Sequence, residues 1–188
     1  MKYYIENEKV VFNDHYQMVK ATVTYDTFSN TKITAKRFAF ERGDSVAIVL
    51  FEKETKSLLL TNQLRYPTCK NNDGWIVEIP AGSLEENENP QDCIKREVME
   101  ELGYKVASAK LINTFYTSPG GATERVFLFY GEVSKNDKIE KGGGKADENE
   151  DIQLVKIPVS EIASKIQEFK DAKTILGLQW YLLHQNKD

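Results

Sequence analysis

Residues 45–51 read SVAIVLF, and after the polar turn EKETK the chain resumes with SLLLTNQLRY. Both runs have strand length, and the first is apolar at nearly every position. A strand with one face in water alternates apolar and polar residues, whereas a near-continuous apolar run belongs in the centre of a covered sheet. The rest of the chain must therefore supply helices to cover it. Trp75–Pro80, Arg125–Val133 and Asp151–Pro158 read as further strands. Val159–Phe169, with Ile162 and Ile166 four apart, reads as a helix. A second helix spans Ala172–His184, with Leu176, Trp180 and Leu183 on one stripe and Asp171 as its cap. The glycines and charges of EKGGGKADENE mark a mobile loop between two of the strands.

Residues 1–41 differ in character. Lys2–Ile5, Val10–Phe12, Met18–Phe28 and Ile33–Phe40 are short β-prone pieces punctuated by Asn, Asp and Thr, and Arg42-Gly43-Asp44 forms a boundary. This arm is too small to hold a core of its own and should pack against something else, such as a second subunit. The expectation is an α+β fold of two parts. Residues 1–41 form an antiparallel β domain, and residues 42–188 hold a mixed sheet with helices on its faces.

Composition excludes several classes. The net charge is −4, and no basic stripe accompanies the nine Tyr and nine Phe; nucleic-acid binding, which needs concentrated cations, is disfavoured. No apolar run reaches the ~18 residues of a membrane span, and MKYYIENEKV lacks the apolar core of a secretory signal. Cys69 and Cys93 have neither metal nor redox spacing. A cytoplasmic location fits.

The chemistry is concentrated in AGSLEENENPQDCIKREVMEELGY, residues 81–104. Asn89 and Pro90 open a helix and Gly103 ends it. Ile94, Val98 and Leu102 recur every four residues on one face. Glu97 and Glu101 are also four apart, with Glu100 three from Glu97, so the three carboxylates share a neighbouring face. Like charges at this spacing oppose the helix by a few tenths of a kcal/mol per pair, and Glu100 and Glu101 lie at its negative end. A solvated acidic face is one explanation. The other is a hard divalent cation with oxygen ligands, such as Mg²⁺.

At this point the segment resembles the Nudix box. Gly82, Glu88, Arg96, Glu97, Val98, Glu100, Glu101 and Gly103 match its fixed offsets; Tyr104 stands where the family usually has an aliphatic side chain, a departure that touches packing. The resemblance implies an α/β/α Nudix sandwich and Mg²⁺-dependent hydrolysis of a diphosphate, with Mn²⁺ as a substitute. It makes Glu97 and Glu101 metal ligands, Glu100 a ligand or an immediate neighbour of one, and the Ala81 carbonyl a further ligand. Arg96 would orient a box carboxylate and Glu88 would hold the loop. Beyond the box, Pro119 and Gly120 in FYTSPGGATERVFLF, with Glu124, resemble the nucleoside diphosphate-sugar branch. Arg65 resembles the family's phosphate-binding Arg and Glu78 a substrate-side carboxylate. Glu150 would be a distal metal ligand and Glu148 the general base, on a glycine-led loop able to close over the site.

Within the branch, the triple glycine and SPGGATER are closer to the GDP-mannose pyrophosphatase subgroup, whose members carry an amino-terminal strand domain used in dimerisation. That implies a homodimer acting on a nucleotide sugar, giving GMP and mannose 1-phosphate. An ADP-ribose pyrophosphatase and a non-catalytic Nudix binding domain stay open as alternatives. The retained carboxylates speak against the second.

Overall fold

The structure, a computed structural model, describes residues 1–184. The chain divides into two compact units, one of residues 1–44 with 116–125, the other of residues 45–115 with the chain from Val126 onward. In the first unit, β1 (Tyr3–Asn13), β2 (Gln17–Asp26) and β3 (Lys32–Glu41) form an antiparallel meander in that order. Register shifts interrupt β1 between Glu6 and Lys9 and between Val10 and Phe12. Asn7, in the first of these, has φ 53, a left-handed conformation that Asn tolerates better than most residues. Residue exposure runs the whole length of β1. Tyr3, Ile5, Phe12 and Phe38 all present apolar surface.

The second unit is built on seven strands: β4 (Ser45–Glu52), β5 (Ser57–Leu64), β6 (Trp75–Glu78), β7 (Ala81–Ser83), β8 (Ala109–Tyr116), β9 (Arg125–Val133) and β10 (Gln153–Pro158). The main path runs β10-β5-β4-β9-β8, with β6 beside β5 and β7 beside β4. The sheet is mixed, because β4 and β9 are parallel while β4 and β5 are antiparallel. Its helices are α1 (Tyr66–Cys69), α2 (Pro90–Leu102), α3 (Val159–Lys165) and α4 (Ala172–His184).

The apolar run of β4 is central, as its composition demands. Val46, Ile48 and Leu50 pack with Ile94, Val98 and Leu102 of α2. Ala47 and Val49, on the opposite face, pack with Ile162 of α3 and with Leu178 and Tyr181 of α4. Each fully buried aliphatic side chain stabilises this two-sided arrangement by roughly 1.5–3 kcal/mol.

Several expectations are corrected. The strand read as Trp75–Pro80 stops at Glu78; Pro80 lacks the N–H a ladder needs, and the chain resumes as β7 against a different partner. Strand β8 was not anticipated from the sequence, and neither was α1. The buried face of α4 is Thr174, Gly177, Leu178 and Tyr181, whereas Leu183 is 71% exposed. Gly177 sets that face, because a Cβ there would stand 2.8 Å from Val49 Cγ2. Asp171 does cap the helix, accepting from Thr174 N at 2.9 Å. The helix begun at Val159 passes into a tighter turn over Ile166–Glu168.

The segment read as a mobile loop is tied down. Gly143 N donates to Glu101 O (2.8 Å), and Gly144 N donates to Glu100 O (3.0 Å). Lys138 Nζ donates to Leu102 O at 2.9 Å. These bonds satisfy the carbonyls that a helix end leaves orphaned. Only glycine fits at 142, where φ is +70 and a Cβ would fall 2.6 Å from the Leu102 carbonyl carbon.

Tyr104, the one departure from the box, is also explained. Its ring is buried, and its hydroxyl donates to the fully buried Glu52 at 2.6 Å. Lys156 Nζ donates to both Glu52 oxygens at 2.7 Å. An aliphatic side chain would leave a buried carboxylate short of one donor.

Candidate active site

The site is assembled from the C-terminal half of α2, strand β7 beneath it and the glycine strap at its end. Asn89 caps α2, its side chain accepting from Gln91 N at 2.8 Å, and Gly103 ends it at φ 75. The buried stripe of α2 fixes its rotation and so turns its carboxylates toward β7. A Cβ on Gly82 would lie 1.9 Å from Glu97 Cδ, so Glu97 rests directly over that glycine. Glu101 Oε2 accepts from Ala81 N at 3.3 Å.

Glu101 is 3% exposed, and among the described residues no cation comes within ion-pair distance of it. Burial pushes its carboxyl well above the usual range, and Glu97, Glu78 and Glu150 push it further. Burial also raises Glu97, with Arg96 working against the rise. Such a buried acid costs stability unless it is protonated or meets a cation.

Arg96 ties the outer carboxylates together. It pairs bidentately with Glu88, Nε to Oε1 and Nη2 to Oε2, both at 3.0 Å. Its Nη1 also donates to Glu97 at 2.8 Å and to Glu100 at 3.0 Å. The hydrogen bonds from Arg96 hold the Glu88 carboxyl down at about 2. Glu88 in turn accepts from Glu85 N at 3.1 Å, which closes the loop before the helix.

Among the described residues no three acidic, His or Cys side chains already converge as a metal site. The outer carboxylates are instead paired with cations: Arg96 holds Glu97 and Glu100, and Lys145 holds Glu100 at 3.1 Å. The donor set nevertheless suits a hard cation, because Glu101 offers carboxylate oxygens with no cation within ion-pair distance among the described residues, and Glu97 lies one helical turn away over Gly82.

Glu150 and Glu148 sit on the strap. Glu150 Oε2 accepts from Lys145 N at 3.0 Å, and its charge is felt at Glu97 and Glu101. Glu148 is exposed and ion-paired with Lys145 at 3.2 Å. On the other side, Arg65 Nε donates to the buried Glu78 at 2.7 Å, and Lys173 from α4 pairs with the same carboxylate. A cleft of about 750 Å³ opens beside Glu150, lined by Asn62, Trp75, Gly143, Asp151 and Gln153.

The structure thus brings together Arg65, Glu78, Ala81, Gly82, Glu88, Arg96, Glu97, Glu100, Glu101, Gly103, Glu148 and Glu150 in one unit. Pro119, Gly120 and Glu124 belong to the other. There Ser118 O accepts from Gly121 N and Ala122 N in a turn. Glu124 is buried, accepting from Thr117 Oγ1 at 2.9 Å and lying 3.5 Å from Arg42. Sequence reasoning missed Arg42, Lys145 and Lys173. Lys173 meets Glu78 across 95 positions, a pairing without a local signal.

Residues 41–177 match the NUDIX domain. The chain belongs to the Nudix family. A GDP-mannose pyrophosphatase of Cronobacter sakazakii is 36% identical over 175 residues, 90% of each chain. Another, from Yersinia enterocolitica, is 34% identical over 96% of each. A solved structure described as an ADP compounds hydrolase superposes with a TM-score of 0.74 at 16% identity, covering 100% of this chain and 98% of that one; at that identity it speaks for the fold alone. Nudix membership implies hydrolysis that depends on a divalent cation. No described helix is long and apolar enough to cross a membrane.

Proposed function

We propose that this Nudix hydrolase cleaves the diphosphate of a nucleoside diphosphate sugar, with GDP-mannose as substrate and GMP and mannose 1-phosphate as products. The observation that carries the reading is Glu101: a buried carboxylate with no ion-pair partner among the described residues, one helical turn from Glu97 and against the backbone of Ala81. Glu97, Glu101, Glu150 and the Ala81 carbonyl would hold Mg²⁺, or Mn²⁺ in its place, with Glu100 as a further ligand. Bound there, the cation neutralises phosphoryl oxygens and lowers the pKa of water.

The chain's own residues do the rest. Arg96 holds Glu97 and Glu100 in place and Glu88 anchors Arg96. Gly82 gives Glu97 its room, and Gly103 lets the strap close on the end of α2. Glu148, on the strap, takes the proton of the attacking water as general base. Arg65 binds a terminal phosphate, steered by Glu78. The cleft beside Glu150 falls within the ~300–1,000 Å³ usual for small-molecule sites and would take part of the substrate. Pro119, Gly120 and Glu124 would be substrate-binding residues by their resemblance to the nucleoside diphosphate-sugar branch.

The apolar side chains exposed on β1 and β3 support a homodimer formed through residues 1–41, with 42–188 as the hydrolase domain, in the cytoplasm. Sedimentation of the parent and of Phe12→Glu tests this: a dimer that dissociates is expected, and a monomeric parent contradicts it. The reaction is tested by phosphatase-coupled phosphate release with Mg²⁺ on GDP-mannose, ADP-ribose, ADP-glucose and NADH. GDP-mannose should be cleaved most efficiently. An ADP-ribose efficiency about tenfold higher, a 1.4 kcal/mol preference, would overturn the substrate while leaving the reaction class.

A further inference from the structure

Lys145 opens the turn Ala146–Glu148, directly after the triple glycine, and touches three of the acidic groups at once. Its ammonium lies 3.1 Å from Glu100 and 3.2 Å from Glu148. Its N–H donates to Glu150 at 3.0 Å. Its carbonyl accepts from Glu148 N at 3.2 Å and from Glu150 N at 3.1 Å. We propose that Lys145 is an internal counter-cation: it docks the 144–150 segment onto α2, holds Glu148 toward Glu100, and yields when a divalent cation enters. This rests on the metal reading given above.

Two cations contact Glu100, and they are not equivalent. Arg96 is fixed by its bidentate pair with Glu88 and a third carboxylate, Glu97. Lys145 has a flexible stem, and its side chain is 30% exposed, so its ammonium can swing into water. A single positive charge only partly offsets the carboxylates gathered here. A divalent ion beside Glu97 and Glu101 offsets them better and repels the ammonium. The departure of Lys145 then releases Glu148 and leaves Glu100 to Arg96 alone. Glu148, the exposed member of the pair, becomes free to act as a base only once the cation is in place. In the absence of metal the same contact keeps it masked.

The test is Mn²⁺ binding without substrate, by titration calorimetry or electron paramagnetic resonance, on the parent, Lys145→Met and Lys145→Arg. Hydrogen exchange across residues 143–151 accompanies it. Lys145→Met should bind Mn²⁺ about two- to tenfold more tightly, the scale of two exposed ion pairs, and exchange the segment's amides faster than the parent. Lys145→Arg should bind no more tightly than the parent. Equal or weaker Mn²⁺ binding by Lys145→Met, or unchanged exchange in the segment, overturns the proposal. A parent that takes up no Mn²⁺ removes the metal reading itself, a result separate from a parent that binds while Lys145→Met is unaltered.

Discussion

Replacing Gly82 with alanine adds one methyl group where the Glu97 carboxylate now lies. The new Cβ would stand 1.9 Å from Glu97 Cδ, 2.1 Å from Oε1 and 2.4 Å from Cγ. Ordinary contact begins near 3.5 Å, so the carboxylate must retreat by roughly 1.5 Å. The obstructing atoms are the end of a flexible side chain, so the backbone need not move. Alanine should therefore fold and still misplace a metal ligand. Misplacement on the order of 1 Å costs about 10²-fold in rate. The expected outcome is a kcat/KM at least ~100-fold below the parent in Mg²⁺, weaker Mn²⁺ uptake, and a Tm within a few degrees. Gly103→Ala provides the contrast. There the Cβ meets the Glu140 backbone at 2.1 Å with φ +75, and the loss should appear in Tm. A Gly82→Ala enzyme within about threefold of the parent, with Mn²⁺ binding intact, would refute the placement of Glu97.

Glu101→Gln should lower turnover by about two orders of magnitude or more while raising the Tm of the metal-free protein. Relief of about 1–2 kcal/mol of buried charge corresponds to about 2–8 °C at this chain length. The folded state holds the Glu101 proton above the ordinary 4.5. Metal-free stability should thus fall as pH rises from 4.5 through the folded value in the parent, and less so in the variant; thermal melts from pH 5 to 8 measure both. Glu148→Gln should reduce kcat with little change in Mn²⁺ binding, and an unchanged kcat moves the base elsewhere. Tyr104→Phe removes one donor from the buried Glu52 and should cost about 1–2 kcal/mol in urea unfolding with activity retained; equal stability would contradict the network described.

What the sequence made legible was local. The period of Ile94, Val98 and Leu102, with Asn89 and Gly103 at either end, marks α2 because capping and burial are encoded within a single helix. The apolar run of β4 likewise betrays two covered faces. Strand β8 escaped notice because most of its residues are exposed, leaving no clear alternation. The apolar stripe of α4 was only partly legible: Leu176 and Trp180 do pack against the core, but the buried face centres on Gly177, whose contribution is the absence of a side chain. In the site, the Glu spacing indicated which carboxylates share a face. It could not indicate that Arg96 and Lys145 would occupy two of them. Those pairings depend on how the chain from 138 to 150 lies across the helix end, and there the glycines serve close approach to the α2 carbonyls rather than free motion.

The central claim is that a divalent ion rests against Glu101 and Glu97 beside the Ala81 carbonyl. Crystals soaked in Mn²⁺ and recorded at the manganese absorption edge should give an anomalous peak within coordinating distance of all three in the parent, absent in Glu101→Gln. A peak that persists in Glu101→Gln, or one that lies only on other surface carboxylates, would contradict the account.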